Sequence, residues 1–512
     1  MTSMLRRLFL LSFVLSRTVA WADISLAPLF RDGAVLQRDR TVPVWGKGAP
    51  GEKVTVSFAP QRREATTGPD GHWRVLLDAL PTNSVGADLV VSGQNTIVVR
   101  DVVVGEVWLC SGQSNMQFPV SRTLDAAREI AAARYPLIRH IQIERVGADD
   151  PADTVPTTGW QRATPEYVGA FTAVGYFFAR DLFQRVGVPI GLIHSSWGGT
   201  PIEAWMSPAA LASDPAFRVV DERWAQTLAE FPARQTAFEA ELAAWTSAEA
   251  GANTKGKAAQ AAFVAKNPKP RAPRGPNDPW TPRRLFNGMI NPLLPYALRG
   301  AIWYQGESNV GRAGEYQALF RAMIAAWRAH FGQGDFPFYW VNLANFNQPN
   351  DSSGTSWAVL RDAQTRTLGL PNTGQAIAID IGDANDIHPT NKQEVGRRLA
   401  LLARVRTYEL VGDDSGPGYA GSTREGSALR VRFTEASGGL VAHDKPVQSL
   451  QVAGADRVFH LATGRIDRDT LIVTAPAVRE PVAVRYAWNN APEANLYSGA
   501  GLPAVPFRSD DW

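Results

Sequence analysis

Residues 102–116 read VVVGEVWLCSGQSNM, and this segment is the most informative one about the architecture of the chain. Its first half, Val102 to Leu109, is an apolar run typical of a buried strand, and the polar segment after it predicts a turn. A helix is predicted from Leu124 to Ala133. A serine between a strand and the next helix, here Ser114, exposes its hydroxyl near helix N–H groups that stabilise negative charge. Such a serine is also a common helix cap, so both interpretations stand at this point.

Four further apolar runs follow the first one along the chain. They are Ile190 to His194, Gly300 to Tyr304, Phe336 to Leu343 and Ala376 to Ile381, with helical spacing from Gly169 to Val186 and from Tyr316 to Phe331. Strands that alternate with helices predict an α/β fold, a parallel sheet with helices on both faces, over residues 101–410. Active sites of such sheets lie at the carboxyl ends of the strands.

The flanking segments have a different pattern. Residues 23–100 show short β-rich runs between glycines and prolines, which predict an N-terminal β domain, and residues 411–512 are again β-rich. Residues 209–282 interrupt the α/β pattern as a helical, proline-rich insertion. An apolar face for a helical hairpin is predicted from Trp224, Leu228, Phe238, Leu242 and Trp245. A linker with six prolines is predicted at 267–282.

The composition is that of a globular protein of 512 residues, with 45% hydrophobic and 20% charged residues.

Residues 1–22 combine arginines, a short apolar core and Ala20-Trp21-Ala22, which predicts a secretory signal peptide. Its removal takes away three arginines and no acidic residue, so the formal charge falls from +3 to zero. We therefore expect no nucleic-acid partner, no membrane association after signal removal, and a location in a bacterial periplasm or outside the cell. The single cysteine, Cys110, excludes an intramolecular disulfide.

Two further motifs end predicted strands. In GLIHSSWGGTPIEAW (191–205), the pair Gly198 and Gly199 lets backbone amides approach a ligand, although paired glycines equally form simple tight turns. In AIWYQGESN (301–309), the carboxamides of Gln305 and Asn309 can donate to a developing oxyanion. Ser308 in the same motif is a rival nucleophile.

A serine nucleophile needs a base, and His388 is the histidine that best suits this role. It lies in the polar turn GDANDIHP (382–389), after the last predicted strand, with Asp386 and Asp383 nearby. A close carboxylate can orient one imidazole nitrogen while the other faces the serine.

The blocks GQSNM, WGGTPIEAW, WYQGESN and DIHP, in this order, resemble the sialate O-acetylesterase group of the SGNH hydrolases. The resemblance implies a flavodoxin-like core, Ser114 as nucleophile and His388 as base. It implies an acid near His388, for which Asp386 is preferred and Asp383 stays open. It also implies an oxyanion hole of Ser114 N–H, Gly199 N–H and Gln305, with Gly198 and Asn309 as substitutes. No metal or cofactor is expected.

The resemblance further implies removal of O-acetyl groups from saccharides through an acetyl-enzyme. The implied substrate is an acetylated plant hemicellulose or a sialic acid, and a plant-type glycan is preferred at this point. Sixteen tryptophans favour sugar stacking. Trp197, Glu307 and Asn309 are candidate substrate-binding residues, and Arg361 or Arg283 could bind a sialic acid carboxylate. At least two of Trp108, Trp197, Trp205 and Trp303 are expected in the core. The alternatives are a non-catalytic carbohydrate-binding protein and a lipase or thioesterase of the same superfamily.

Overall fold

The computed structural model describes residues 23–443 and 445–512. The predicted signal peptide, residues 1–22, lies outside the described residues. Seven strands precede the α/β core: β1 (Ser25–Leu26), β2 (Val35–Gln37), β3 (Val42–Lys47), β4 (Lys53–Phe58), β5 (Gln61–Thr66), β6 (His72–Leu77) and β7 (Asn83–Ser92). Strands β1, β3 and β6 form one small sheet, whereas β4, β5 and β7 join the large sheet of the core.

The large sheet is built around one long strand, β8 (Thr96–Gly112). Its remaining strands are β9 (Tyr135–Gln142), β10 (Gln161–Ala163), β11 (Ile190–Ser196), β12 (Gly300–Tyr304), β13 (Phe338–Asn342) and β14 (Thr373–Ile377). They lie in the order β10-β9-β11-β8-β12-β13-β14, and only β10 is antiparallel to its neighbour in this series. The parallel pairing of the five predicted strands is therefore confirmed.

The first half of β8 pairs antiparallel with β7, and its second half lies between the parallel strands β11 and β12. The predicted boundary at residue 100 thus falls inside a continuous strand. Of the first six residues only Val99 is buried, whereas every residue from Val102 to Gly112 is buried, because this second part is covered on both faces.

Nine helices are described. They are α1 (Ser114–Gln117), α2 (Ala126–Ala132), α3 (Ala173–Val186), α4 (Pro208–Ala212), α5 (Arg218–Asn253), α6 (Lys257–Lys266), α7 (Ala313–Phe331), α8 (Ser356–Arg366) and α9 (Lys392–Leu402). Helices α3 and α7 confirm the two predicted crossover helices, although α3 begins later than expected because the Thr172 hydroxyl caps it by accepting from Gly175 N–H. In the part of the chain that the structure describes, no helix is both long and apolar enough to cross a membrane.

Two predictions about strands were incomplete. Strand β14 ends at Ile377 rather than at Ile381, because Ile377 pairs with Asn342, the last residue of β13. Strand β9 was not predicted, because Arg139 and His140 interrupt its apolar pattern. Both side chains are nevertheless buried, and Arg139 is paired with Asp101 at 3.1 Å. Tertiary pairing, rather than local polarity, decides the strand here.

The insertion contains a helical hairpin formed by α5 and α6, but the five apolar residues predicted for its face all lie on α5, which continues without a break from Arg218 to Asn253. Its apolar residues are only partly buried, and Val220 is the buried residue of α5. The proline-rich segment 267–282 forms neither helix nor strand, and the indole N–H of Trp245 donates to Asn267 O at its start. The hairpin therefore projects from the core.

The C-terminal segment forms three small sheets with an apolar core of their own. Its strands are β15 (Gly418–Glu425), β16 (Ala428–Thr434), β17 (Leu440–Val441), β18 (Leu450–Ala453), β19 (Phe459–Leu461), β20 (Thr463–Asp467), β21 (Thr470–Thr474), β22 (Ala483–Tyr486), β23 (Tyr497–Ser498) and β24 (Phe507–Arg508). This core also includes Ile377 and Ile379. The C-terminal segment thus packs against the end of β14.

A buried carboxylate stabilises the middle of β8. Glu106 is fully buried and binds Arg299, whose Nε lies 2.6 Å from Oε2, as well as Arg38 and the amide of Gln37. Burial alone would raise the pKa of Glu106, but the hydrogen bonds and charges of Arg299 and Arg38 outweigh it and lower the pKa. The ion pair therefore joins β8 to the chain before β12 and to the N-terminal segment.

Glu106→Gln should lower the free energy of unfolding by about 3 kcal/mol, because it removes the buried counter-charge of Arg299 and Arg38. Urea denaturation measures the loss. Glu64→Gln is the matched control, since Glu64 is exposed and its ion pair with Arg62 spans 3.5 Å; it should change stability by less than about 0.5 kcal/mol. Equal midpoints for the two variants would contradict the role of Glu106.

Candidate active site

Ser114 lies at the carboxyl end of β8 as the first residue of α1. Its Oγ is 2.8 Å from His388 Nε2, a hydrogen bond that joins residues 274 positions apart. The residue in the cap position of α1 is Gln113, so the interpretation of Ser114 as a helix cap is wrong. The hydroxyl of Ser114 instead faces an imidazole.

The tight end of β8 depends on Gly112. Its φ is +134°, and a Cβ at this position would lie 2.2 Å from Tyr304 O on β12. The next residue, Gln113, donates its backbone N–H to the same oxygen at 2.9 Å. A residue without Cβ therefore lets the chain turn closely beside β12 and directs Ser114 out of the sheet.

His388 is half-buried, and its ring stacks on Phe118 with 6.4 Å between centroids. Burial lowers the pKa of His388, the charge of Asp386 opposes this change, and the charges of Lys392 and Arg122 add to it. The imidazole is therefore neutral around pH 7, which is the state that accepts a proton.

Asp386 is the carboxylate next to the His388 imidazole. Its Oδ1 lies 3.7 Å from His388 Nδ1 and accepts the backbone N–H of His388 at 2.8 Å. Asp383 instead accepts the backbone N–H of Asn385 at 2.8 Å. No ion pair joins Asp383 to His388 among the described residues, so the geometry favours Asp386.

The rival groups are not arranged for the same chemistry. The backbone N–H of Ser308 donates to Gln113 Oε1 at 3.3 Å, and its hydroxyl makes no described hydrogen bond to a histidine. His194 does bind a serine, with Nε2 2.6 Å from Ser196 Oγ, but both are buried in the core. Burial lowers the pKa of His194 to about 3, so this pair is a packed, neutral one.

The backbone N–H groups of Ser114 and Gly199 are free of described hydrogen bonds. The φ of Gly199 is +75°, a conformation that favours glycine. The Gly198 N–H, in contrast, already donates to Gln117 Oε1 at 2.8 Å. A Cβ on Gly198 would lie 3.2 Å from Ser114 Cβ, so this loop packs directly against the serine. The geometry therefore favours Gly199 over Gly198 as an oxyanion donor.

The structure contradicts the predicted oxyanion role of Gln305. This residue is fully buried, and its Nε2 donates to Thr200 O at 3.2 Å and to Asn309 Oδ1 at 2.7 Å. Both amide hydrogens are therefore in use. Asn309 is also buried, accepts Ile202 N–H and donates to Glu203, so it binds neither oxyanion nor substrate here. These two carboxamides instead hold the WGGTPIEAW loop against the WYQGESN loop.

Glu307, a predicted substrate-binding residue, faces inward as well. Its Oε1 accepts from Asn115 Nδ2 at 2.6 Å, and its Oε2 is buried without a described partner. Asn115 Oδ1 in turn accepts from Lys392 Nζ at 2.6 Å. The sequence did not reveal Lys392, because a lysine in the polar stretch at the start of α9 is typical of a solvent-exposed helix end.

Of the four tryptophans near the motifs, three are fully buried: Trp108, Trp205 and Trp303. The expectation that at least two belong to the core is confirmed. Trp197, beside Gly198, is partly exposed. The exposed Arg145 has its guanidinium carbon 6.0 Å from the centre of the Trp197 ring.

The two arginines considered for a carboxylate are used elsewhere. Arg361 is buried and donates to three backbone carbonyl oxygens, those of Leu343, Asn489 and Asn490. Arg283 pairs with Asp221 at 2.6 Å. Arg122 lies near the site instead, with its guanidinium carbon 4.7 Å from the centre of the Phe118 ring.

Within residues 23–443 and 445–512, no group of three or more His, Cys, Asp or Glu side chains is arranged to hold a metal ion.

Comparisons with known proteins show the family of the chain. Residues 278–403 match the family model described as "Carbohydrate esterase, sialic acid-specific acetylesterase". The sialate O-acetylesterase of Mus musculus is 31% identical, over 92% of this chain and 92% of the mouse protein. The chain belongs to the sialate O-acetylesterase family. The Homo sapiens enzyme of this family is 29% identical over 96% of this chain and 94% of its own length.

A solved structure adds to this result. A carbohydrate acetylesterase from Xanthomonas citri is 38% identical, covers 96% of this chain and 100% of its own, and superimposes with a TM-score of 0.80. As a member of the sialate O-acetylesterase family, the protein is a carboxylic ester hydrolase that acts as a carbohydrate O-acetylesterase. The alternative of a non-catalytic carbohydrate-binding protein is thereby set aside.

Asp386→Asn should lower kcat on an aryl acetate by about 100-fold, because the carboxylate that faces His388 Nδ1 is lost. The charge of Asp386 raises the pKa of His388, so its removal should also move the acid limb of the pH profile to lower pH. Steady-state kinetics between pH 4 and about 9 tests both effects. Asp383→Asn is the matched control and should stay within about threefold of the wild type; the reverse ranking would make Asp383 the acid.

Proposed function

We propose that this carbohydrate O-acetylesterase works as a serine hydrolase, with Ser114 as nucleophile, His388 as base and Asp386 as the acid that orients His388. The observation that carries the proposal is the 2.8 Å hydrogen bond between Ser114 Oγ and His388 Nε2. A serine hydroxyl is a weak nucleophile until a neutral base takes its proton. The lowered pKa of His388 supports that neutral state.

In the first half of the reaction, His388 Nε2 takes the hydroxyl proton while Ser114 Oγ bonds to the acetyl carbonyl carbon. The tetrahedral intermediate then collapses, the bond to the sugar oxygen breaks, and His388 returns the proton to that oxygen. In the second half, His388 deprotonates a water molecule, which attacks the acetyl-serine. Acetate leaves, and the proton returns to Ser114.

The oxyanion is bound by the free N–H groups of Ser114 and Gly199 in this proposal. The Ser114 N–H belongs to the first turn of α1, where N–H groups lack partners within the helix. Such donors stabilise charge without having to reorganise as it develops. Hydrogen bonds around Gln305 and Asn309 support the mechanism indirectly, because they fix the loop that carries Gly199.

The order of the predicted strands supports a flavodoxin-like SGNH core. The five strands follow one another along the chain as β8, β11, β12, β13 and β14. In the sheet they lie side by side as β11-β8-β12-β13-β14, which is the order 2-1-3-4-5 when they are numbered along the chain. This is the flavodoxin-like doubly wound order. Strands β9 and β10 extend the sheet beyond β11.

Ser114→Ala should reduce the hydrolysis of a chromogenic acetate ester by at least about 10³-fold, since no other described hydroxyl contacts His388. A circular dichroism spectrum checks that the fold is retained. A fluorophosphonate should label the wild type once and the variant not at all. Near-normal turnover by the variant would refute the assignment, and hydrolysis of long acyl esters but not acetate would favour a lipase or thioesterase.

For the substrate, we propose an O-acetylated sugar that carries a carboxylate, such as an O-acetylated sialic acid. Arg122 lies beside Phe118 and His388, and Arg145 lies beside the partly exposed Trp197. Both guanidinium groups are exposed, and neither makes a described ion pair with an acid. A guanidinium recognises a carboxylate through two parallel hydrogen bonds, while an indole face stacks on a sugar ring. The relatives named sialate O-acetylesterase support the same choice. An acetylated plant glycan is the second candidate.

Arg122→Gln should lower kcat/KM for an acetylated sialoside by about tenfold, the value of one charge-assisted hydrogen bond. Acetate release from sialosides, xylan fragments and xyloglucan fragments is measured at pH 8, where loss of the Arg122 charge no longer alters the protonation of His388. Arg128→Gln, on the exposed face of α2, is the control. Faster turnover of neutral glycans than of sialosides by the wild type would reject the sialic acid proposal.

We also propose that the protein acts in the periplasm or outside the cell, on the basis of the leader pattern in residues 1–22. Fractionation of an expressing cell, with N-terminal sequencing of the product, tests this.

A further inference from the structure

A series of hydrogen bonds between buried side chains, two of them ionisable, lies beneath the proposed nucleophile. Lys392 Nζ donates to Asn115 Oδ1 at 2.6 Å, and Asn115 Nδ2 donates to Glu307 Oε1 at 2.6 Å and to Ile387 O at 2.9 Å. Lys392 is fully buried as the first residue of α9. The mechanism proposed above does not use any of these three side chains.

The arrangement connects the two halves of the proposed site. Asn115 directly follows Ser114, and Ile387 directly precedes His388. The hydrogen bond from Asn115 Nδ2 to Ile387 O therefore joins the turn that carries the nucleophile to the loop that carries the base. Each reacting group is one residue away from this link, so a shift of the link changes the distance between Ser114 Oγ and His388 Nε2.

Lys392 sets the orientation of the Asn115 amide. An ammonium group only donates, so it binds the amide oxygen, whereas the Glu307 carboxylate accepts from the amide nitrogen. The amide dipole thus lies between a cation and an anion. A flipped amide would face Lys392 with its NH₂ group and would leave both Ile387 O and Glu307 without a donor. The two charges together hold the orientation that reaches Ile387.

This position is an unfavourable one for a lysine. Burial lowers the pKa of Lys392 to about 7, and a cation at the start of a helix opposes the helix dipole. Contacts with the rings of Phe118 and Tyr304, at 5.0 and 5.3 Å from Nζ, and the charges of Glu307 and Asp386 offset part of this cost. An apolar side chain of similar length would fill the space at lower cost, so packing alone does not account for the ammonium group.

We propose that Lys392 is a positioning residue for the hydrolytic reaction: through Asn115 it holds the loop of His388 against the turn of Ser114, with Glu307 as the counter-charge. This role rests on the proposed serine mechanism. It requires no contact between Lys392 and the substrate. The effect of Lys392 is therefore expected in kcat rather than in KM.

Lys392→Met keeps an unbranched side chain that is one atom shorter and removes the donor. We expect kcat on an aryl acetate to fall on the order of 10- to 100-fold with KM within about twofold, because small displacements of reacting groups have effects of this size. Fluorophosphonate labelling of Ser114 should slow by a similar factor. Lys257→Met, an exposed lysine on α6, is the matched control.

The pH dependence of activity distinguishes the loss of the Lys392 charge from a simple change in packing, because packing alone would not shift the pKa of His388. The groups whose charges act on His388 are Asp386, Lys392 and Arg122, and the Lys392 charge lowers the pKa of His388. Activity requires neutral His388, so the wild-type acid limb should lie below pH 6.5. In Lys392→Met that limb should move to higher pH.

The double variant Lys392→Met with Glu307→Gln tests whether Lys392 acts by orienting the Asn115 amide or only by neutralising the charge of Glu307. Removal of both charges should restore thermal stability lost in the single variant, yet kcat should stay low, because the amide is no longer oriented. Full recovery of kcat, or an unchanged kcat in Lys392→Met, would overturn the proposal. If the wild type is not labelled and Ser114→Ala remains active, the serine mechanism itself has failed, which is a different result.

Discussion

The hydrogen bond between Ser114 Oγ and His388 Nε2 is the contact on which the proposed chemistry depends, and it joins two distant parts of the chain. Ser114 follows the central strand β8, whereas His388 lies in the loop between β14 and α9. The parallel order of the sheet brings both ends to the same edge, as it does for the carboxyl ends of all parallel strands. The sheet therefore brings two residues that are 274 positions apart in the chain to within 2.8 Å of each other, measured from Ser114 Oγ to His388 Nε2.

The loop of His388 is held from both sides. Arg398 of α9 pairs with Asp380 just after β14, with 2.6 Å between Nη1 and Oδ1, and the C-terminal core packs on Ile377 and Ile379. At the other end of the loop, Asn115 binds Ile387 O. The β-rich C-terminal segment therefore supports the base loop, although none of the proposed catalytic residues belongs to it.

Much of this arrangement could be predicted from the sequence. Strong apolar runs identified the five strands, and short blocks identified Ser114, His388 and the glycine pair, because glycines and polar turns mark sites locally. The roles of Gln305, Asn309 and Glu307 could not be predicted in the same way. A carboxamide or carboxylate at a strand end serves equally well as a ligand or as a structural bond, and its hydrogen-bond partners decide which. The burial of Lys392 and Arg139 likewise depends on residues distant in the chain, which no local pattern contains.

The continuity of β8 has a consequence for the modularity of the enzyme. An N-terminal β domain before an α/β core suggests two units that evolution could exchange independently. Here the strand that ends at the nucleophile is the same strand that pairs with β7, and Glu106 in its middle binds an arginine on either side. A recombination point near residue 100 would cut the central strand of the sheet. An exchange of the N-terminal region alone would therefore interrupt the strand that leads to Ser114.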